Sequence, residues 1–146
     1  MLKIMLTLPP LALYIHIPWC VRKCPYCDFN SHAADGALPE DLYVTALLRD
    51  LDQDLPRVWG RVVSSVFFGG GTPSLFSARA ISAILDGVRA RLKLRPDAEI
   101  TLETNPGTSE HGHFDGYRAA GVNRLSFGAQ TFDDAQLKRL GRIHGA

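Results

Sequence analysis

Val62-Val63-Ser64-Ser65-Val66-Phe67-Phe68-Gly69-Gly70-Gly71 is a β-branched and aromatic run that stops at three glycines, the pattern of a buried strand delivering the chain into a loop. On its N-terminal side, Leu38 to Leu55 carries Leu42, Val44, Ala46, Leu47, Leu48 and Leu51 among acids and Arg49. With Pro39 near its start and Pro56 expected to close it, that stretch predicts an amphipathic helix. On the other side, Ala78 to Leu92 places Ile81, Ile84, Leu85 and Val88 at helical spacing, with Pro96 expected to end the segment. Further out, Leu13-Tyr14-Ile15-His16-Ile17 alternates up to Pro18 and reads as a strand. Glu99 to Glu103 reads as another, followed by an Asn105-Pro106-Gly107 turn. Phe114 to Ala120 predicts a short helix ended by Gly121, Val122 to Phe127 a fourth strand, and Asp133 to Leu140 a fourth helix with two acids in its first turn. The order is βαβαβαβα, which implies an α/β fold with parallel strands and right-handed crossovers. Four units are half of a closed eight-stranded barrel, which needs about 250 residues, so the expectation is a partial (βα) barrel or a small open sheet.

The 146 residues are 46% apolar and 21% charged with a net charge of +1, the composition of one globular unit rather than of a disordered, collagenous or coiled-coil chain. With 16 Lys plus Arg against 15 Asp plus Glu, there is no cationic surplus to neutralise a row of phosphates. Nucleic acid is therefore not an expected partner, and a small molecule or a protein is. No run reaches the roughly 18 to 20 apolar residues of a membrane span. Met1 to Leu13 is leucine-rich but interrupted by Pro9-Pro10 and lacks a small-residue cleavage site, so it is not read as a secretory leader. All three cysteines, Cys20, Cys24 and Cys27, fall within eight residues, an odd count that cannot form a paired disulfide framework. A reducing, cytoplasmic setting follows as the expectation.

Cys20-x-x-x-Cys24-x-x-Cys27 places three thiols on one loop after a strand. Iron–sulfur clusters are usually held by four cysteine thiolates, so three would leave one iron with an open position. A Cys₃His zinc site completed by His16 or His32 is the competing reading, and three inert buried thiols the plainest one. Three glycines standing alone would mark a flexible turn. Of the remaining histidines, His111 and His113 flank a glycine in a loop where solvent exposure is the default, and His144 lies near the end of the chain.

The sequence from Tyr14 to Phe29, Tyr14-Ile15-His16-Ile17-Pro18-Trp19-Cys20 followed by Cys24-Pro25-Tyr26-Cys27-Asp28-Phe29, resembles the radical S-adenosylmethionine superfamily. Within it, the resemblance is to the branch of oxygen-independent coproporphyrinogen III oxidases and HemW-type heme chaperones. Gly69 to Leu75, Glu103 to Gly107, Ser126 to Phe132 and Leu140 to His144 match that branch in the same order. The resemblance implies a partial barrel of the radical-SAM type, residues 1–146 being the N-terminal part of its core domain, with further strands and a heme-handling domain belonging to the rest of a longer protein. It also implies a [4Fe–4S] cluster on Cys20, Cys24 and Cys27, and S-adenosylmethionine on the fourth iron. An electron donor reduces the cluster, and the sulfonium is cleaved to methionine and a 5′-deoxyadenosyl radical.

By the same resemblance Gly69 to Gly71 let backbone groups approach the methionine end of the ligand, Gly70, Gly71 and Thr72 are cofactor-binding, Tyr14 and Tyr26 flank cluster and nucleotide, and Glu103 accepts from ribose hydroxyls or the ligand amine, packed aromatics and a solvated strand-end acid being the plain alternatives. Gln130 is a further polar contact, and Arg142 meets a carboxylate bidentately, a solvated arginine near the chain end being the plain alternative. The oxidases carry a fourth cysteine two positions after the third, where this chain has Phe29. That departure resembles the heme chaperones, which implies heme and heme-acceptor proteins as partners, with oxidase activity as the alternative.

Overall fold

The computed structural model describes residues 7–107 and 113–146; residues 1–6 of the stretch considered as a leader, and His111, lie outside them. Four parallel strands, β1 (Leu11–Ile17), β4 (Val62–Gly70), β5 (Lys93–Thr104) and β6 (Arg124–Phe127), form one sheet in the order β1-β4-β5-β6. The helices α1 (Glu40–Val58), α2 (Ala78–Arg91) and α3 (Phe114–Ala120) are the crossovers between them, and α4 (Asp134–Arg139) follows the last strand. The fold is α/β as expected. The strands do not close on themselves, so β1 and β6 are the sheet's two edges.

Period-two alternation divides the sheet. Ile15, Ile17, Val63, Val66, Phe68, Ile100 and Leu102 point to one face, where Val44 of α1, Ile81, Ile84, Leu85 and Val88 of α2 and Tyr117 of α3 bury them. Tyr14, Phe67 and Thr101 share a register row on the other face, which ends at Glu103. Polar groups and strand carboxyl ends thus meet on one side of the molecule, where α/β folds seat their ligands.

The structure corrects several sequence expectations at their boundaries. Pro56 lies inside α1 instead of closing it, since a proline two residues before the end removes one ladder bond, to Asp52, in an exposed last turn. Pro96 does not end α2, which stops at Arg91; it lies within β5. The pairing of β5 with β4 jumps there from Leu94–Val63 to Glu99–Ser65, so Pro96 occupies an unpaired bulge where its missing N–H costs nothing. The fourth strand begins at Arg124 rather than Val122, because the Asn123 side chain takes the place of ladder groups, accepting from Ile100 N at 2.8 Å and donating to Ala98 O at 2.9 Å. Two short strands, β2 (Trp19–Cys20) and β3 (His32–Ala33), pair in parallel and close the base of the cysteine loop. They are too short for any periodicity to announce them.

Candidate functional site: a cysteine-lined cleft

Each piece of the site is a loop leaving the carboxyl end of a strand. After β1 the chain enters β2, which ends on the buried Cys20. Cys24-Pro25-Tyr26-Cys27 is a turn closed by Cys27 N donating to Cys24 O at 3.1 Å, with proline at the second position where its fixed φ favours the bend. After β4 come Gly71 and Thr72, whose N–H groups donate to Ile17 O and Trp19 O, each at 2.7 Å. A Cβ on Gly71 would lie 2.5 Å from Trp19 O and 3.0 Å from Cys20 Sγ, while Gly70 has φ +113° and packs on the His16 ring. The glycine run is thus not a flexible turn. It lets β2 pass close enough for Cys20 to enter the site.

Cys20, Cys24 and Cys27 line one cleft of about 140 Å³ together with Tyr26, Phe29, Gly70, Gly71, Thr72, Glu103, Gln130 and Arg142. Tyr14 stands outside it, its ring stacked on Phe67 and its hydroxyl on His16. Glu103, half-buried at the end of β5, accepts from Gly70 N; burial holds its carboxyl above the usual range and that N–H partly offsets the effect. Burial, and then the charge of Glu103, also raises the Tyr14 hydroxyl. Burial, and then the Cys24 sulfur, raises that of Tyr26.

Arg142 is no frayed arginine: Nη2 donates to Asn105 Oδ1 and to Gly128 O at 2.5 Å, and Nη1 to Cys24 Sγ at 3.5 Å. One side chain therefore ties together the loops after β1, β5 and β6. Gln130 lies three residues past β6, with φ +69°, a left-handed conformation uncommon outside glycine. Two buried polar atoms on the cleft residues have no hydrogen-bond partner, Thr72 Oγ1 and Arg142 Nε.

The histidines are engaged elsewhere. Both ring nitrogens of His16 are bonded, to Tyr14 and to Asn30 O; His32 bonds the Asn30 side chain, His144 meets Ala129 O, and the His113 ring lies against Tyr117. None of these four lines the cleft, so the Cys₃His set is not assembled, and among the described residues no three His, Cys, Asp or Glu side chains close around a single ion. Three thiols spaced around one cleft, beside unpartnered buried donors, fit a larger inorganic group with an open position and a polar ligand next to it. Sequence reasoning did not single out the carbonyls and Asn105 that hold Arg142, since no local pattern marks a contact between distant loops.

The sequence matches the radical SAM superfamily over residues 14–146. The chain belongs to that superfamily. This radical SAM chain is 63% identical over 141 residues to the heme chaperone HemW of Escherichia coli, with 97% of the chain and 37% of the relative covered. It is 54% identical over 143 residues to the heme chaperone HemW of Haemophilus influenzae, covering 95% of the chain and 37% of that relative. Among solved structures, coproporphyrinogen III oxidase (HemN) from Escherichia coli, described as a radical SAM enzyme, superposes with a TM-score of 0.82 at 35% identity, over 92% of this chain and 31% of that one. The radical SAM chain thus spans 31–37% of the length of these relatives.

Proposed function

We propose that the cleft holds a [4Fe–4S] cluster on Cys20, Cys24 and Cys27 and S-adenosylmethionine beside it, and that the chain is the N-terminal part of the core of a HemW-type heme chaperone acting in the cytoplasm. The observation that carries this reading is the meeting of three thiols, Glu103, Gln130, Arg142 and the unpartnered Thr72 Oγ1 in one cleft. Bound together, cluster and ligand supply reductive cleavage of a sulfonium C–S bond. The chain's own groups do the holding. Glu103 receives the cationic amine or the ribose hydroxyls, Arg142 and Thr72 face the carboxylate end, and Tyr26 offers its ring to the adenine. Tyr14 lies outside the cleft, its ring on Phe67 and its hydroxyl on His16. An electron donor, heme and heme-acceptor proteins are the partners of the longer protein. Among the described residues no helix is long and apolar enough to cross a membrane.

Anaerobic reconstitution with iron and sulfide should load about four of each per chain, and Cys24→Ser should abolish the loading. S-adenosylmethionine should perturb the spectrum of the reduced cluster, with Glu103→Ala weakening the effect. A colourless protein holding one zinc ion overturns the reading. The heme-chaperone branch is supported by Phe29, which lines the cleft where oxidases have a fourth cysteine. Its test is the full-length protein, which should bind heme and pass it on; stoichiometric conversion of coproporphyrinogen III to protoporphyrinogen would favour the oxidase instead.

A further inference from the structure

Three successive main-chain carbonyls of the cysteine loop are each taken by a side chain. Lys23 Nζ donates to Phe29 O at 3.2 Å and to Ser31 O at 3.0 Å, and His16 Nε2 meets Asn30 O between them at 2.7 Å. A carbonyl can only accept, so Nε2 donates to it, and Nδ1 pairs with the Tyr14 hydroxyl at 2.9 Å. The ring is thus fixed from both sides. It is seated against Gly70, where a Cβ would lie 2.6 Å from Cε1.

Secondary structure does little for this loop. Its base is closed by His32 N to Pro18 O and Ala34 N to Cys20 O, each at 2.7 Å. Among the described residues, the main-chain bonds between residues 21 and 31 are local, Cys27 N to Cys24 O and Ser31 N to Phe29 O, and none ties the arm bearing Cys24 and Cys27 to the sheet. His16, on β1, makes that tie, and Lys23 joins the two arms of the loop.

We propose that His16 and Lys23 are positioning residues that set the cysteine loop in place before any cofactor is present, so that Cys24 and Cys27 face the cleft in which Cys20 is already fixed by β2. Neither residue lines that cleft. Their role is to grip carbonyls 29 to 31 from inside the loop. The purpose of this arrangement rests on reading the cysteines as cluster ligands; the gripping itself does not.

The test uses two readouts on the same protein: amide hydrogen exchange in the segment 18–34 before reconstitution, and the initial rate of iron–sulfide loading followed by absorbance. His16→Leu and Lys23→Met should each speed exchange in that segment by up to about tenfold, the effect of losing one or two hydrogen bonds. Exchange in β4 and β5 should not change, and loading should slow in parallel. His16→Gln, which keeps an N–H near the Nε2 position, and Lys23→Arg should restore both rates. Unchanged exchange in both Leu and Met variants overturns the proposal, as does failure of both conservative variants to rescue. If His16→Leu also speeds exchange in β4, the fold itself is perturbed, and the Lys23 pair, on an exposed side chain, decides. Should the wild type load no cluster while exchange responds as described, the cluster reading fails and the positioning role stands.

Discussion

At the scale of single residues, Gly71 and Glu103 show two ways in which the cleft is held open at a cost. The backbone of Gly71 is not left-handed, so its requirement is space alone. An alanine there would push against a carbonyl and a cysteine sulfur, neither of which is the loose end of a flexible chain. Gly71→Ala should lower unfolding stability by about 1–3 kcal/mol in a urea titration, and Cys20 should alkylate faster in the variant. Glu103 is unfavourable for a different reason, since burial disfavours its charged form. A carboxyl whose folded pKa is raised binds its proton more tightly in the native state. Its contribution to stability is therefore fully present below the unfolded value of roughly 4.3 and is lost as pH rises through the folded pKa. Glu103→Gln should raise the unfolding midpoint of the cofactor-free protein at pH 7 and leave it unchanged near pH 3, while weakening S-adenosylmethionine binding. A midpoint at pH 7 equal to or below that of the wild type would contradict this. That three thiols share one loop was legible from spacing, which left a cluster, a zinc site and inert thiols open. The need for space at Gly71 was not, because the atoms it makes room for, Trp19 O and Cys20 Sγ, arrive from β2.

Elements are joined by contacts that the sequence does not announce. Glu40, in the first turn of α1, accepts from both Ser77 N and Ser77 Oγ at 2.6 Å, while the same Ser77 hydroxyl accepts from Ala80 N as the N-cap of α2. The two helices that cover β4 thus start from one shared knot. Ser77→Ala removes the cap and leaves a partly buried carboxylate with one partner fewer, so it should cost about 1–2 kcal/mol by thermal or urea unfolding. A change within a few tenths of a kcal/mol would mean that water replaces the hydroxyl at no loss. The helices themselves were legible, since Ile81, Ile84, Leu85 and Val88 form a stripe that only a 3.6 period explains. What failed were prolines used as stops. Pro96 is tolerated because it falls in a bulge that asks for no N–H, and Pro56 because the single ladder bond it removes lies in an exposed last turn; the neighbouring strand decides the first and solvent the second.

For the whole molecule, alternation predicted four βα units and parallel pairing, and the pairing follows from the helical crossover between each sheet strand and the next. Closure is a different matter, because whether an edge strand is covered depends on chain beyond it. Among the described residues strand β6 pairs only with β5, and beside it a groove of about 510 Å³ is lined by residues that include Phe114, Tyr117, Val122 and Leu125. Phe127 at the strand's end is 51% exposed and Phe132 just beyond it 82%. Unpaired ladder groups next to exposed aromatics make a template for association. Edge-to-edge pairing of two β6 strands about a two-fold axis would satisfy both copies at once. The 146-residue chain should therefore self-associate at micromolar concentration in sedimentation velocity, and Phe132→Lys, which places a charge on the exposed aromatic just past the edge strand, should shift it toward monomer. Concentration-independent sedimentation as a monomer, with one cooperative thermal transition at roughly 45 to 65 °C, would mean instead that four units bury their own core. The groove beside β6 would then be ordinary solvated surface rather than a face waiting for a partner.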